Sequence, residues 1–121
     1  MPSAVLALLG EESGHLIVQE GLPFSVISAV NLSEVITKIA AQGVRKEAAL
    51  QMFSLLGIEV VAFEEADAWT AGFLYPETKH LGLSLGDRAC IGLGLRLKRI
   101  ILTADSIWRD IALPVEIRLI R

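Results

Sequence analysis

Apolar positions along this chain recur with two different rhythms, one of short unbroken runs and one of helical spacing, and the two alternate. Phe24-Ser25-Val26-Ile27 is a short β-prone run without charge, as expected of a buried strand. Ser28 can cap a helix of about residues 29–41, which stops near Gly43. Residues 45–56 form another amphipathic stretch, with Ala48, Met52, Leu55 and Leu56 near one face and Gly57 at its end. A strand is predicted over 58–63, then a helix from about Glu64 to Leu74, interrupted by Pro76. Ser84-Leu85-Gly86-Asp87 has the form of a capping box, opening a helix that runs to about Leu97. Residues 100–103 read as a strand, 105–111 as a short helix and 115–119 as a final strand. Earlier, residues 3–9 are an apolar run of good helix formers, and 15–20 form a second short helix. Strands alternating with helices predict an α/β fold, with one mostly parallel sheet and helices on both faces.

Composition narrows the class. The 121 residues are the size of one domain, long enough to bury roughly two-thirds of the unfolded surface. Hydrophobic residues make up 53% and mean hydropathy is +0.56, which calls for a sheet buried on both faces or a surface covered by a partner. No run reaches the ~18 consecutive apolar residues of a membrane span. Residues 3–9 lack the basic flank and cleavage site of a signal peptide. The lone Cys90 forms no internal disulfide, in keeping with a reducing cytoplasm, and it falls in a helical apolar stripe as a core residue. No Cys/His cluster points to zinc.

Charge is uneven. Residues 1–86 carry 4 basic and 10 acidic side chains, whereas 87–121 carry 7 basic and 4 acidic. Ordinary surface composition accounts for this; the sharper reading is that Arg88, Arg96, Lys98, Arg99, Arg118 and Arg121 help hold a polyanion.

Three carboxylates stand where strands meet helices: Glu34, Asp87 and Asp105. In parallel α/β sheets such junctions share one edge, where function collects. Converging carboxylates repel one another unless a cation relieves them, and Mg²⁺ or Mn²⁺ prefers oxygen ligands. A metal held there could activate water against a phosphodiester. Each residue also has a structural explanation: Glu34 could complete a capping box with Asn31, Asp87 with Ser84, and Asp105 could cap the helix after it. His15 and His80 have no partner that suggests base catalysis, and Trp69 and Trp108 read as packing residues. The glycines at 82, 86, 92 and 94 form no phosphate-binding loop; Gly92 and Gly94 read as sites of close helix or sheet packing.

The segment Leu83-Ser84-Leu85-Gly86-Asp87-Arg88-Ala89-Cys90 resembles the corresponding stretch of PIN domains of the VapC toxin type. Leu102-Thr103-Ala104-Asp105, the ending Leu119-Ile120-Arg121, residues 28–35 and residues 3–9 resemble further segments of that family, in its order. The resemblance implies a three-layer α/β/α sandwich and a ribonuclease site of four acidic residues that binds Mg²⁺ or Mn²⁺. Glu34, Asp87 and Asp105 match three of them; Ser3 and Thr103 match supporting hydroxyl positions, and Arg88 is a candidate phosphate contact. The fourth acid's position falls on Met1, and the family's first, central strand would end there. The expectation is therefore a PIN-like domain over 1–121, truncated at its N-terminus and a weak nuclease as it stands. The resemblance further implies an RNA substrate, a homodimer and a VapB-type antitoxin, in the cytoplasm and away from membranes. The alternatives are a degenerate PIN domain that only binds antitoxin or RNA, and an unrelated receiver-like doubly wound domain. The latter would need paired acids after its first strand, which are not seen.

Overall fold

The computed structural model describes residues 25–103, 108 and 110–119, without the side chains of 102, 103 and 119. The elements expected over 3–9 and 15–20 lie outside the described residues, as does most of 105–111. Strand β1 (Val26–Ser28) leads into helix α1 (Ala29–Ala41). Ser28 stops being strand and starts the helix because its backbone is still extended while its hydroxyl accepts from the Val30 N–H at 3.2 Å. Gly43, at φ +85°, lets the chain leave α1 and reach α2 (Lys46–Ser54). Next come β2 (Glu59–Val61), α3 (Glu65–Phe73) and α4 (Tyr75–Thr78). The helix expected from about Glu64 to Leu74 ends as predicted, with Leu74 as the C-cap of α3, and Pro76 belongs to a separate short helix. It lies in the first turn of α4, where a missing N–H costs nothing. After a 3-10 turn come α5 (Leu85–Leu97), β3 (Ile101–Thr103) and β4 (Ile117–Leu119).

The α/β class with parallel strands is as expected, but the single sheet is not what the described residues form. β1 pairs in parallel with β2, β3 pairs in parallel with β4, and among the described residues no strand hydrogen bonds join the two pairs. Expected strand 58–63 also shortens to three residues, and Glu64, still extended, is the N-cap of α3.

Helix α5 is the central element. It packs against α3 and α1 and touches both β1 and β3. Its buried side carries Cys90 and Ile91, which join Leu74, Leu83, Ile101 and Trp108 in the core. Cys90 and Trp108 are thus core residues, as their positions predict. The two glycines allow close approach: a β-carbon on Gly94 would lie 2.7 Å from Ile101 Cδ1, and one on Gly92 would lie 3.3 Å from Thr70 Cγ2. Helices α3 and α5 run antiparallel. Arg88 reaches Ala71, Gly92 abuts Thr70 and Arg96 pairs with Asp67, so contacts climb one helix while descending the other.

Helix α2 is different. It buries no residue, and its expected apolar face is open, with Leu55 87% exposed. Trp69, expected to pack, lies 63% exposed and stacks on Phe73.

Candidate active site

The site begins at the strand-to-helix turn of β1 and α1. Because Ser28 caps α1, Asn31 falls in its first turn and faces inward with Val35 one turn later. Asn31 is 1% exposed. Its Nδ2 group donates to Glu34 Oε1 at 2.9 Å and to the main-chain oxygen of Gly86 at 2.8 Å. One side chain therefore orients the Glu34 carboxylate and ties α1 to the start of α5. This replaces the expected Asn31–Glu34 capping box: the cap is Ser28, and the amide of Asn31 serves Glu34 instead.

Gly86 completes the seat. A β-carbon there would overlap the Glu34 carboxylate, so the acid rests directly on the backbone of α5. The neighbouring Asp87 belongs to the capping box read from the sequence. Its Oδ2 accepts from the Ser84 N–H at 2.9 Å, and the Ser84 hydroxyl accepts from the Asp87 N–H at 3.2 Å. Glu34 is thus held against the residue adjoining Asp87, at the N-terminus of α5, where the helix dipole favours negative charge. Among the described residues the ion pair formed is Arg96–Asp67, at 3.2 Å, and neither Glu34 nor Asp87 has a cationic side-chain partner.

Of the other sequence-derived candidates, Asp105 and Ser3 lie outside the described residues. Thr103 ends β3, its backbone in register with Leu119. Arg88 turns to α3: Nη1 donates to the Ala71 carbonyl at 2.8 Å and the guanidinium lies 5.4 Å from the Tyr75 ring centroid. Sequence reasoning missed the role of Asn31 and the need for Gly86. The available signal for the first was a polar residue four positions before Val35, on the side of the helix that is otherwise apolar.

Carboxylate oxygens suit a hard divalent cation and not a soft one. Glu34 and Asp87 are two acids only. Among the described residues no group of three His, Cys, Asp or Glu side chains forms a metal-holding set.

A domain with parallel strands and a pair of acids where α1 meets the start of α5 falls in the class of α/β proteins whose chemistry gathers at strand-to-helix junctions. Within that class, comparison with protein families matches the chain to the PIN domain over residues 3–113. That match covers most of the 121 residues, and the chain belongs to the PIN-domain family. PIN domains are generally nucleases. No curated protein matches the chain. Among the described residues no helix is long and apolar enough to cross a membrane.

Proposed function

We propose that the chain is a toxin-type endoribonuclease of the VapC kind, hydrolysing RNA phosphodiester bonds with Mg²⁺ or Mn²⁺ held by Glu34, Asp87 and Asp105. The observation that carries this reading is the seating of the Glu34 carboxylate on Gly86, beside Asp87, with no cationic side chain paired to either acid among the described residues. Two neighbouring acids without a counter-charge repel each other, and a divalent cation removes that cost. When bound, the cation supplies charge stabilisation at the phosphodiester and a more acidic water. The protein's own residues do the rest. Asn31 fixes Glu34, the Ser84 N–H fixes the Asp87 carboxylate, and the absence of a side chain on Gly86 leaves room for the Glu34 carboxylate. A homodimer and a VapB-type antitoxin are the partners proposed, in the cytoplasm; the exposed Trp69 and Phe73 support an apolar surface that a protein partner covers.

The test is cleavage of labelled RNA with Mg²⁺, Mn²⁺ or EDTA, for the chain and for Asp87→Asn. Cation-dependent cleavage lost in the variant supports the reading. RNA binding without any cleavage supports the non-catalytic alternative.

A further inference from the structure

Tyr75 is the chain's single tyrosine and opens α4, directly after the C-cap of α3. Leu74 before it is buried in the core, so the backbone is anchored there, while Tyr75 itself is 52% exposed. The guanidinium of Arg88 lies over the tyrosine ring, 5.4 Å from its centroid. That guanidinium is fixed in turn, because Nη1 donates to the Ala71 carbonyl at 2.8 Å. One face of the ring is therefore backed by a held cation, and half of the residue stays open to solvent. Trp69 and Phe73 are arranged differently. They stack on each other along α3, whereas Tyr75 lies past the end of α3 and meets a side chain of α5.

The place of this ring relative to the acids is set by α5. Arg88 follows Asp87 directly at the start of that helix. Successive helical side chains diverge by about 100°. Asp87 accordingly turns back to Ser84 while Arg88 reaches across to α3 and Tyr75. Tyr75 thus stands on the flank of the Glu34 and Asp87 pair and not within it. A strand that brings a phosphodiester to those acids carries its neighbouring nucleotides past such a flank. Aromatic rings grip single strands by stacking, because every base has a π-face. A ring already held in place loses less conformational freedom when a base docks on it.

We propose that Tyr75 is a base-stacking subsite for single-stranded RNA. The open face of its ring takes a nucleobase that flanks the phosphodiester held at Glu34 and Asp87, and Arg88 supports the ring from behind. The subsite rests on the nuclease reading for its substrate, but it is read out by binding and not by cleavage.

Because the chain has one tyrosine, meta-fluorotyrosine incorporated into the full chain gives a single fluorine resonance at this position. The probes are hexaadenylate, hexauridylate and a ribose-phosphate hexamer without bases, titrated with and without Mg²⁺ while anisotropy reads the fraction bound. We expect the resonance to shift saturably with both RNA hexamers, more with adenine than with uracil, and to stay in place with the abasic hexamer. Tyr75→Ala should weaken hexaadenylate binding about 5–100-fold, and Tyr75→Phe should keep it within about twofold. The fluorine comparison needs no variant, so it stands even if Tyr75→Ala fails to fold. An equal shift with the abasic hexamer means a backbone contact and overturns the proposal, as does an unmoved resonance at saturating RNA. A shift that follows protein concentration without RNA places Tyr75 between copies of the chain and overturns it too. RNA cleaved while the resonance stays still removes the base site and leaves the nuclease reading. Stacking without cleavage does the reverse, and a chain that binds no RNA loses both.

Discussion

The carboxylate of Glu34 occupies the space that a β-carbon on Gly86 would need. Glycine is thus required there by a side chain 52 residues earlier, and not by backbone torsion, since Gly86 has no positive φ. Gly86→Ala should separate site from stability. Alanine improves the helix by about 1 kcal/mol, which offsets part of the crowding. Displacement of Glu34 should lower Mn²⁺ affinity by about 10–100-fold, the usual effect of disturbing a metal ligand's support. Calorimetry and thermal melts read both; unchanged Mn²⁺ affinity would remove Glu34 from the site.

Asn31 predicts a pH effect with a definite sign. In Asn31→Asp a carboxylate replaces an amide that donates to Glu34 and to the Gly86 carbonyl, so the introduced acid is buried against two acceptors. Burial and a neighbouring negative charge raise its folded pKa above the unfolded value near ~3.9. The folded state then binds more protons than the unfolded state through the acid range, and stability falls as pH rises. The variant should lie closest to the parent chain near pH 4 and farthest from it near pH 7 in urea unfolding. A constant difference across that range would show that Asn31 is not buried against those acceptors.

Asp87 has two tasks that one pair of variants separates. Asp87→Asn keeps an oxygen for the Ser84 N–H, so the capping box survives in outline, while the negative charge is lost. Ser84→Ala removes the cap hydroxyl and keeps the charge. We expect Asp87→Asn to reduce cleavage by about 10–100-fold or more with little loss of stability. Ser84→Ala should cost about 1 kcal/mol in denaturation. The reverse pattern would leave Asp87 as a cap and nothing more.

Local signals explain what was legible. The cap at Ser28, the capping box at Ser84 and Asp87 and the close packing at Gly92 and Gly94 are each settled by residues within a turn or by the lack of a β-carbon. The contact of Asn31 with Gly86 was not legible, because it joins residues 55 apart and depends on how α1 crosses α5. The division of the strands into two pairs was hidden for the same reason: β-propensity marks a strand without naming its neighbour. Helix α2 has the expected spacing, but periodicity gives the apolar face and not what covers it.

Its basic side chain beside Asp87 makes Arg88 a candidate phosphate contact, but its position in the fold supports a different expectation. Its Nη1 donates to the Ala71 carbonyl and its guanidinium stacks over Tyr75, joining α5 to α3. Arg88→Met should destabilise the fold by about 1.5–3 kcal/mol, the range for a hydrogen bond to a charged group. Arg88→Lys should restore little, because an ammonium lacks the planar fork. The salt dependence of RNA binding should stay unchanged. A drop of about 1 in its slope, without loss of stability, would return Arg88 to the phosphate-binding role.

Trp69 and Phe73 make the most specific prediction about partners. They are one helical turn apart on α3, their rings are 6.1 Å between centroids and nearly parallel, and they are 63% and 70% exposed. Large aromatic side chains displayed together on an exposed helix face are costly to leave in water and are enriched at the centres of interfaces. A stable interface needs about 800 Å² from each partner, which two stacked aromatics can anchor but not complete. The double variant Trp69→Glu and Phe73→Glu should shift sedimentation of the chain from dimer to monomer. Its unfolding free energy, referred to the monomer, should change by about 0.5 kcal/mol or less, since neither ring is buried in the protomer. Trp69 also accepts a simple control: its indole N–H donates to Glu65 at 3.3 Å, and Glu65→Gln should leave association unchanged if the ring and not the charge is what the partner meets. A parent chain that sediments as a monomer at high concentration would rule out self-association through this face.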